Sequence, residues 1–414
     1  MHTRRTPVRT ALWGALAATV VLAIGPSSGA AATPPRTPEA RALPVPDTAT
    51  ITVAGHGYGH GHGLSQYGAE GAARAGKSAG EILRFYYPHT TAGRAGGSVK
   101  VLLTASIGHG TTVVNRPGLL VHDFARGTTT KVPTGGAAGK ASLWRMSNGS
   151  GATTRVDYRT DTWHTWRTLR GNGEFRTTGS PLTLVLGHTR TTYRGTLRSM
   201  GPISRTTHRI TVNLVSLEGY VRGVVPREMP ASWHQAALRA QAVAARTYAA
   251  YEHAHANPQD RRFTICDSAS CQVYGGLTAE DPRSNQAVAA TKGMVRDYQG
   301  APAFTQFSSS NGGWTSAGSV PYLDAHPDPY DGWAGNPVHT WSTKVTSSRI
   351  ERHWPALGNL ESVAIDQRDG NGQWNGRVEK MTLHGSQADR HITGDDFRLR
   401  LGLRSTWFTF AKVG

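Results

Sequence analysis

The reading turns on Leu217-Glu218-Gly219-Tyr220-Val221-Arg222-Gly223-Val224-Val225-Pro226-Arg227-Glu228-Met229-Pro230 and the Ala-rich run Leu238-Arg239-Ala240-Gln241-Ala242-Val243-Ala244-Ala245-Arg246-Thr247-Tyr248-Ala249 that follows it. Ile210 to Leu217, just ahead, reads as a strand. Ser232-Trp233-His234-Gln235 has the spacing of a capping box, in which the hydroxyl and the amide side chain satisfy the open N–H groups of a helix start. Leu238, Ala242, Ala245 and Ala249 then recur at helical spacing until Asn257-Pro258 stops the pattern. Such a small-residue stripe lets a helix pack close to its neighbour. Pro226 and Pro230 fix φ on either side of Glu228, so the expectation is a carboxylate displayed on a stiff loop between a strand and a helix. Two roles fit it: an acid/base group, or a residue that favours the positive end of the following helix.

Outward from this point the punctuation changes. Between about 98 and 208, runs such as Val99-Lys100-Val101-Leu102-Leu103 and Leu182-Thr183-Leu184-Val185-Leu186 alternate with Gly135-Gly136, Asn148-Gly149 and Gly171-Asn172-Gly173. That is the vocabulary of strands and hairpins. Asn285 to Lys292 reads as a second, shorter helix, and the remainder as strands and loops. With 49 glycines in 414 residues and only 6 Met and 9 Phe, an all-helical bundle is disfavoured, because glycine weakens helix interiors. The expected class is α+β: a β-rich scaffold with one long Ala-rich helix after the Glu228 loop.

Arg4, Arg5 and Arg9 precede the uncharged apolar run Ala11 to Ile24, which Gly25-Pro26 breaks before the small residues Gly29 to Ala32. This is the layout of a secretory signal peptide over residues 1–32, and the run is short for a membrane span. Residues 33–49, rich in proline, read as a tether, and 50–414 as the folded domain. Lys and Arg number 45 against 27 Asp and Glu, a net charge of +18; loss of the three signal arginines leaves +15. A surface of that charge attracts anionic partners. Export takes the chain away from nucleic acid, leaves the membrane as a partner only through an uncleaved signal segment, and brings the anionic cell wall forward.

The segment from Glu218 to Trp233, running on into Leu238 to Ala249, resembles the central signature of the stage II sporulation protein D and amidase-enhancer family. Asp267 with Cys271-Gln272-Val273-Tyr274-Gly275-Gly276, and Phe307-Ser308-Ser309-Ser310-Asn311-Gly312-Gly313 with Pro321-Tyr322-Leu323, are similar to two further family segments. The resemblance implies a secreted, sporulation-related type of cell-wall protein: a lytic transglycosylase acting on peptidoglycan glycan strands, particularly strands denuded of stem peptides, with Glu228 in the catalytic position and no cofactor. An ordinary glycosidase needs two carboxylates about 5 to 9.5 Å apart. A muramic acid residue brings its own nucleophile, the 6-hydroxyl, so one carboxyl suffices as acid and then base. The alternative the family offers is a noncatalytic wall-binding protein that enhances a separate cell-wall amidase.

One segment is out of order. Gly59-His60-Gly61-His62-Gly63-Leu64-Ser65-Gln66-Tyr67-Gly68-Ala69 is similar to a stretch found near the C-terminus of sporulation members, yet stands first here. A permutation that leaves it docked beside Glu228 is expected. His60, Ser65, Gln66, Gln272, Tyr274, Ser308, Ser309, Asn311, Gly312 and Gly313 are the expected substrate-binding residues, with the glycines admitting sugar to the backbone. Ser65 as a helix cap, and His56, His60 and His62 as metal ligands, are the competing readings. Tyr274, Trp314, Tyr322 and Trp333 are candidate sugar platforms, about half of which should prove buried. Cys266 and Cys271 are the only cysteines; in an exported chain a disulfide is preferred over zinc, to which His253 or His255 would contribute. Val225, Met229 and Trp233 must desolvate Glu228 strongly enough to outweigh Arg227 and the expected helix start.

Overall fold

The computed structural model describes residues 42–201, 209–257 and 260–414. The signal segment and most of the tether lie outside them, as does Pro258. Among the described residues there are eight helices: α1 (Gln66–Arg74), α2 (Ala79–Tyr86), α3 (Gly136–Gly139), α4 (Leu217–Glu228), α5 (Gln235–Ala254), α6 (Pro282–Ala290), α7 (Ser347–His353) and α8 (Gly394–Leu401). Strands predominate, and none of the described helices is long and apolar enough to cross a membrane.

Thr50–His56 alternates buried and half-exposed residues, as a strand with one dry face must. It sits between Thr340–Thr346 and Phe408–Val413, antiparallel to both. Ile51 and Val53 join Trp341, Ile350, Phe397 and Phe408 in one apolar core. Leu43–Pro44 pairs with Leu360–Arg368, and Val45 and Ala49 are buried in the same core. The folded unit therefore starts ahead of residue 50: apolar Leu43, Val45 and Ala49 dock, and proline is tolerated on the short outer strand because it needs no full ladder.

The β-rich portion holds two sheets. One has seven strands in the order Ile265–Cys266, Ser98–Leu102, Ile210–Ser216, Thr196–Met200, Gly173–Arg176, Leu120–Asp123 and Thr128–Lys131. The other has six: Trp163–Leu169, Thr154–Arg159, Leu143–Asn148, Thr111–Val114, Leu182–Leu186 and Thr189–Tyr193. Val113, Trp144, Met146 and Leu184 share a core with Val121, Phe175 and Leu197. Asn148-Gly149 turns an antiparallel hairpin as expected. Gly135-Gly136 instead opens the single helical turn α3, and Gly171-Asn172-Gly173 carries the chain from one sheet to the other.

Helix α5 is the centre of the helical part, touching α1, α2, α4 and α6. Leu238, Ala242, Ala245 and Ala249 are all buried, which permits those close approaches. The start of α5 differs from the capping-box expectation. His234 is the cap residue, its own side chain caps nothing, and Ser232 is exposed. Glu70 of α1 does the capping from outside: one carboxylate oxygen accepts the His234 N–H at 2.9 Å and the other meets the His234 ring Nδ1 at 2.9 Å. A buried carboxylate serves the open end of α5 better than a local hydroxyl because it also complements the helix dipole. Glu218 and fully buried Arg246 then lock α4 to α5 through two parallel bonds of 2.9 Å.

Candidate functional site

Glu228 is not on a loop. It is the last residue of α4, which accepts Pro226 in its final turn, and Met229 N–H closes the end on the Val225 carbonyl at 2.9 Å. Proline is tolerated so near the helix end because few bonds remain to be broken beyond it. The position reverses one expectation about charge. A carboxylate at a helix C-terminus faces the negative end of the dipole, so the helix favours its neutral form. Burial pushes the Glu228 carboxyl above its ordinary value; the Val273 N–H, the Gln66 amide and Arg227 pull the other way and lose. The residue as a whole remains partly exposed.

Its two oxygens are held by donors from two distant segments of the chain. Val273 N–H donates to Oε1 at 2.8 Å and Gln66 Nε2 donates to Oε2 at 3.1 Å. The Gly59–Ala69 segment is thus docked at the carboxylate. Leu64–Ser65 pairs in parallel with Phe307–Ser308, and Tyr58 bridges to Ser310. The glycines serve this docking. A Cβ at Gly312, whose φ is +79°, would fall 2.7 Å from Gly57 N, and one at Gly63 would fall 2.3 Å from the Gln306 carbonyl oxygen. At these two positions the chain that approaches the backbone is the protein's own.

Asp331, which the sequence did not single out, organises the docked loops. Fully buried, it accepts from Ser65 Oγ at 2.6 Å, Ser310 Oγ at 2.8 Å, Asn311 N–H at 3.2 Å and Gly312 N–H at 3.1 Å, and meets His339 Nδ1 at 2.8 Å. Asp328 beside it takes Tyr86 Oη and Asn311 Nδ2, each at 2.7 Å. Burial, and then Asp331, hold the Asp328 carboxyl above its usual range. A buried carboxylate survives only with such a full set of donors. The sequence signal was the pair of aspartates in Asp328-Pro329-Tyr330-Asp331, indistinguishable there from a polar loop.

The expected binding residues divide by this geometry. Ser65 is buried, caps α1 through Gly68 N–H at 3.0 Å and donates to Asp331. Gln272 is buried, accepting Tyr220 Oη at 3.1 Å. Asn311 and Gly312 are buried in the aspartate network, and Ser308 Oγ accepts Gly61 N–H at 3.2 Å. Tyr274 lies in the core with its hydroxyl on Asn213 at 2.8 Å, and Tyr322 is likewise interior. Neither ring has a face open to a sugar. Gln66 meets Glu228; His60, Ser309 and Gly313 remain half-exposed, as do Trp314 and Trp333. Tyr67, unremarked in sequence, stacks edge-on with Trp233 at 4.9 Å and lies 6.3 Å from Trp333, an aromatic cluster one residue from Gln66.

His60 borders a cavity of about 140 Å³ with Tyr248, Cys271 and Phe307. Burial, then neighbouring His62, push its imidazole down to about 3. His62 N–H donates to His60 Nδ1 at 2.9 Å, which places the ring proton on Nε2 in the neutral tautomer. Among the described residues no group of three or more His, Cys, Asp or Glu is arranged around a metal. Cys266 and Cys271 form a disulfide, and His255 stacks on Tyr251 at 3.9 Å. The disulfide closes the turn leading into Gln272 and Val273, the residue whose N–H holds Glu228.

Residues 205–298 match the family model described as Stage II sporulation protein. The chain is 43% identical over 137 residues to the amidase enhancer of Bacillus subtilis (strain 168), a match covering 32% of this chain and 17% of that protein. It is 29% identical over 239 residues to Stage II sporulation protein D of Bacillus amyloliquefaciens and to that of Bacillus subtilis (strain 168), covering 51% of this chain and 65% of each relative. The chain thus spans less than two thirds of the length of each of these three relatives.

Proposed function

From the premise that the chain belongs to the stage II sporulation protein D and amidase-enhancer family, we propose that it is a secreted lytic transglycosylase cleaving peptidoglycan glycan strands, preferentially denuded ones, at muramic acid. The observation that carries this is Glu228: a carboxyl raised by burial and held on both oxygens, on a residue that remains partly exposed. Protonated Glu228 gives its proton to the glycosidic oxygen as the bond from that oxygen to the muramic C1 breaks. The resulting carboxylate then takes the proton of the same sugar's 6-hydroxyl as its oxygen bonds to C1. The product is a 1,6-anhydro end, formed without water and with Glu228 reprotonated.

Gln66 suits both halves of the cycle. Its amide NH₂ donates to the carboxylate, and after rotation its carbonyl accepts from the acid. General acid–base catalysis of this kind supplies roughly 10²- to 10⁴-fold. The second reading, a noncatalytic enhancer of a separate amidase, is supported by the name of one relative. Incubating purified protein and Glu228→Gln with denuded glycan separates them. Anhydromuramic ends should form with the parent and vanish with the variant while glycan pulldown persists; equal products from both would sink the catalytic assignment, and none from either would favour the enhancer.

A further inference from the structure

Ahead of the strand that leads into α4, the two-sheet portion holds a guanidinium without a counter-charge. Arg209 is 4% exposed. Its Nε donates to Ser199 Oγ at 2.9 Å, and its Nη2 to Asn172 Oδ1 and the Ser199 carbonyl, each at 2.8 Å. All these acceptors are neutral, and among the described residues no carboxylate forms an ion pair with it. The stretch Pro202-Ile203-Ser204-Arg205-Thr206-Thr207-His208 preceding it in sequence brings none either. Burial holds its pKa down to about 10. A buried, unpaired cation is costly unless something anionic completes it.

Arg209 lines two adjoining cavities of about 360 and 370 Å³. Arg170, exposed, edges the first; Arg145 and Arg155 edge the second. The latter two share a single carboxylate, Asp157, at 2.9 and 3.0 Å. The cavity walls therefore carry a surplus of positive charge around one desolvated guanidinium, with glycines at 108, 110, 149, 151, 171 and 201 keeping the rim low.

We propose that this end of the two-sheet portion is an oxyanion-binding site in which Arg209 receives a phosphate or carboxylate group of an anionic polymer, with Arg170 and the Arg145/Arg155 pair drawing it in. A guanidinium fork matches either group, and desolvation strengthens the pairing. The site does not depend on Glu228 and would hold the protein on the wall while the helical part acts.

Calorimetric titration of the whole protein with poly(glycerol phosphate) and with poly-L-glutamate tests this. Saturable binding of either is expected, weakened roughly tenfold by Arg209→Gln and less by Arg209→Lys; the preferred polymer identifies phosphodiester or carboxylate as the source. Exposed Arg170→Gln should weaken it severalfold without touching the core, and decides the matter where Arg209→Gln does not fold. Absence of saturable binding, parent-like affinity in folded Arg209→Gln, or an equal loss from the remote exposed Arg352→Gln would overturn the proposal.

Discussion

Gln66 Nε2 lies 3.1 Å from Glu228 Oε2 across 162 residues of chain. That bond ties the Gly59–Ala69 segment to the end of α4. The segment docks through a parallel pairing at Leu64–Ser65 and through the buried Asp331.

Removing the Gln66 amide should alter Glu228 in a specific way. Gln66→Ala deletes an N–H donor to the carboxylate, so the pKa of Glu228 rises further. The alkaline limb of the pH–rate profile is expected to move upward while the maximal rate falls roughly 10- to 100-fold through lost positioning. A lower rate with an unmoved limb would mean that the amide acts only on the fold.

Folding stability should report the same burial. A carboxyl whose native pKa is raised above its unfolded value favours folding while protonated. That contribution is complete below the unfolded value and is lost as pH rises through the native one. Since Glu228 is raised above its ordinary 4.5, Glu228→Gln, which carries no charge to bury, should melt higher than the parent near pH 8. The gap should close as pH falls below the ordinary value. A gap of constant size between these limits would contradict the assignment.

Asp331 is expected to be worth far more to the fold than an exposed aspartate. Asp331→Ala strands Ser65, Ser310, the Asn311 and Gly312 amides and His339 at once, at a cost of about 3 to 5 kcal/mol. Asp389→Ala, which breaks only the half-exposed pair with His384, should cost less than about 1 kcal/mol. Denaturant titration of the two variants provides the comparison.

The disulfide closes a loop with a sequence separation of 5, for which chain entropy predicts roughly 2 kcal/mol of stabilisation. Replacing Cys266 and Cys271 together by serine should lower stability by about that much. Turnover should fall as well, because the Val273 N–H that holds Glu228 lies two residues beyond Cys271. Thiol titration should find no free thiol before reduction and two after it.

The sequence by itself determined the mixed class, the strands of the β-rich portion and the Ala-rich stripe of α5. Each of these is written in local periodicity or in a contiguous run. It misplaced Glu228 on a loop because Pro226 and Pro230 signal a break regardless of whether a helix has already run its course; the geometry of α4 decided that. The capping of α5 was misread for a related reason. Ser232 and Gln235 have the right spacing, but the helix starts only at Gln235, and Glu70, buried and charged, takes the N–H of its cap residue His234.

Only the tertiary structure decided which polar residues face a cleft and which are interior. Ser65, Gln272, Tyr274 and Asn311 look like ligand-binding residues in a string of letters because burial and hydrogen-bond partners are long-range properties. Ser65 finds Asp331 across 266 residues, and Tyr274 finds Asn213 across 61. The glycines at 63 and 312 announce close approach in the sequence; what approaches is fixed only when two distant loops meet. The basic excess was countable from the start, but that one of its cations, Arg209, lies buried against neutral acceptors at the junction of two cavities is a fact of packing alone.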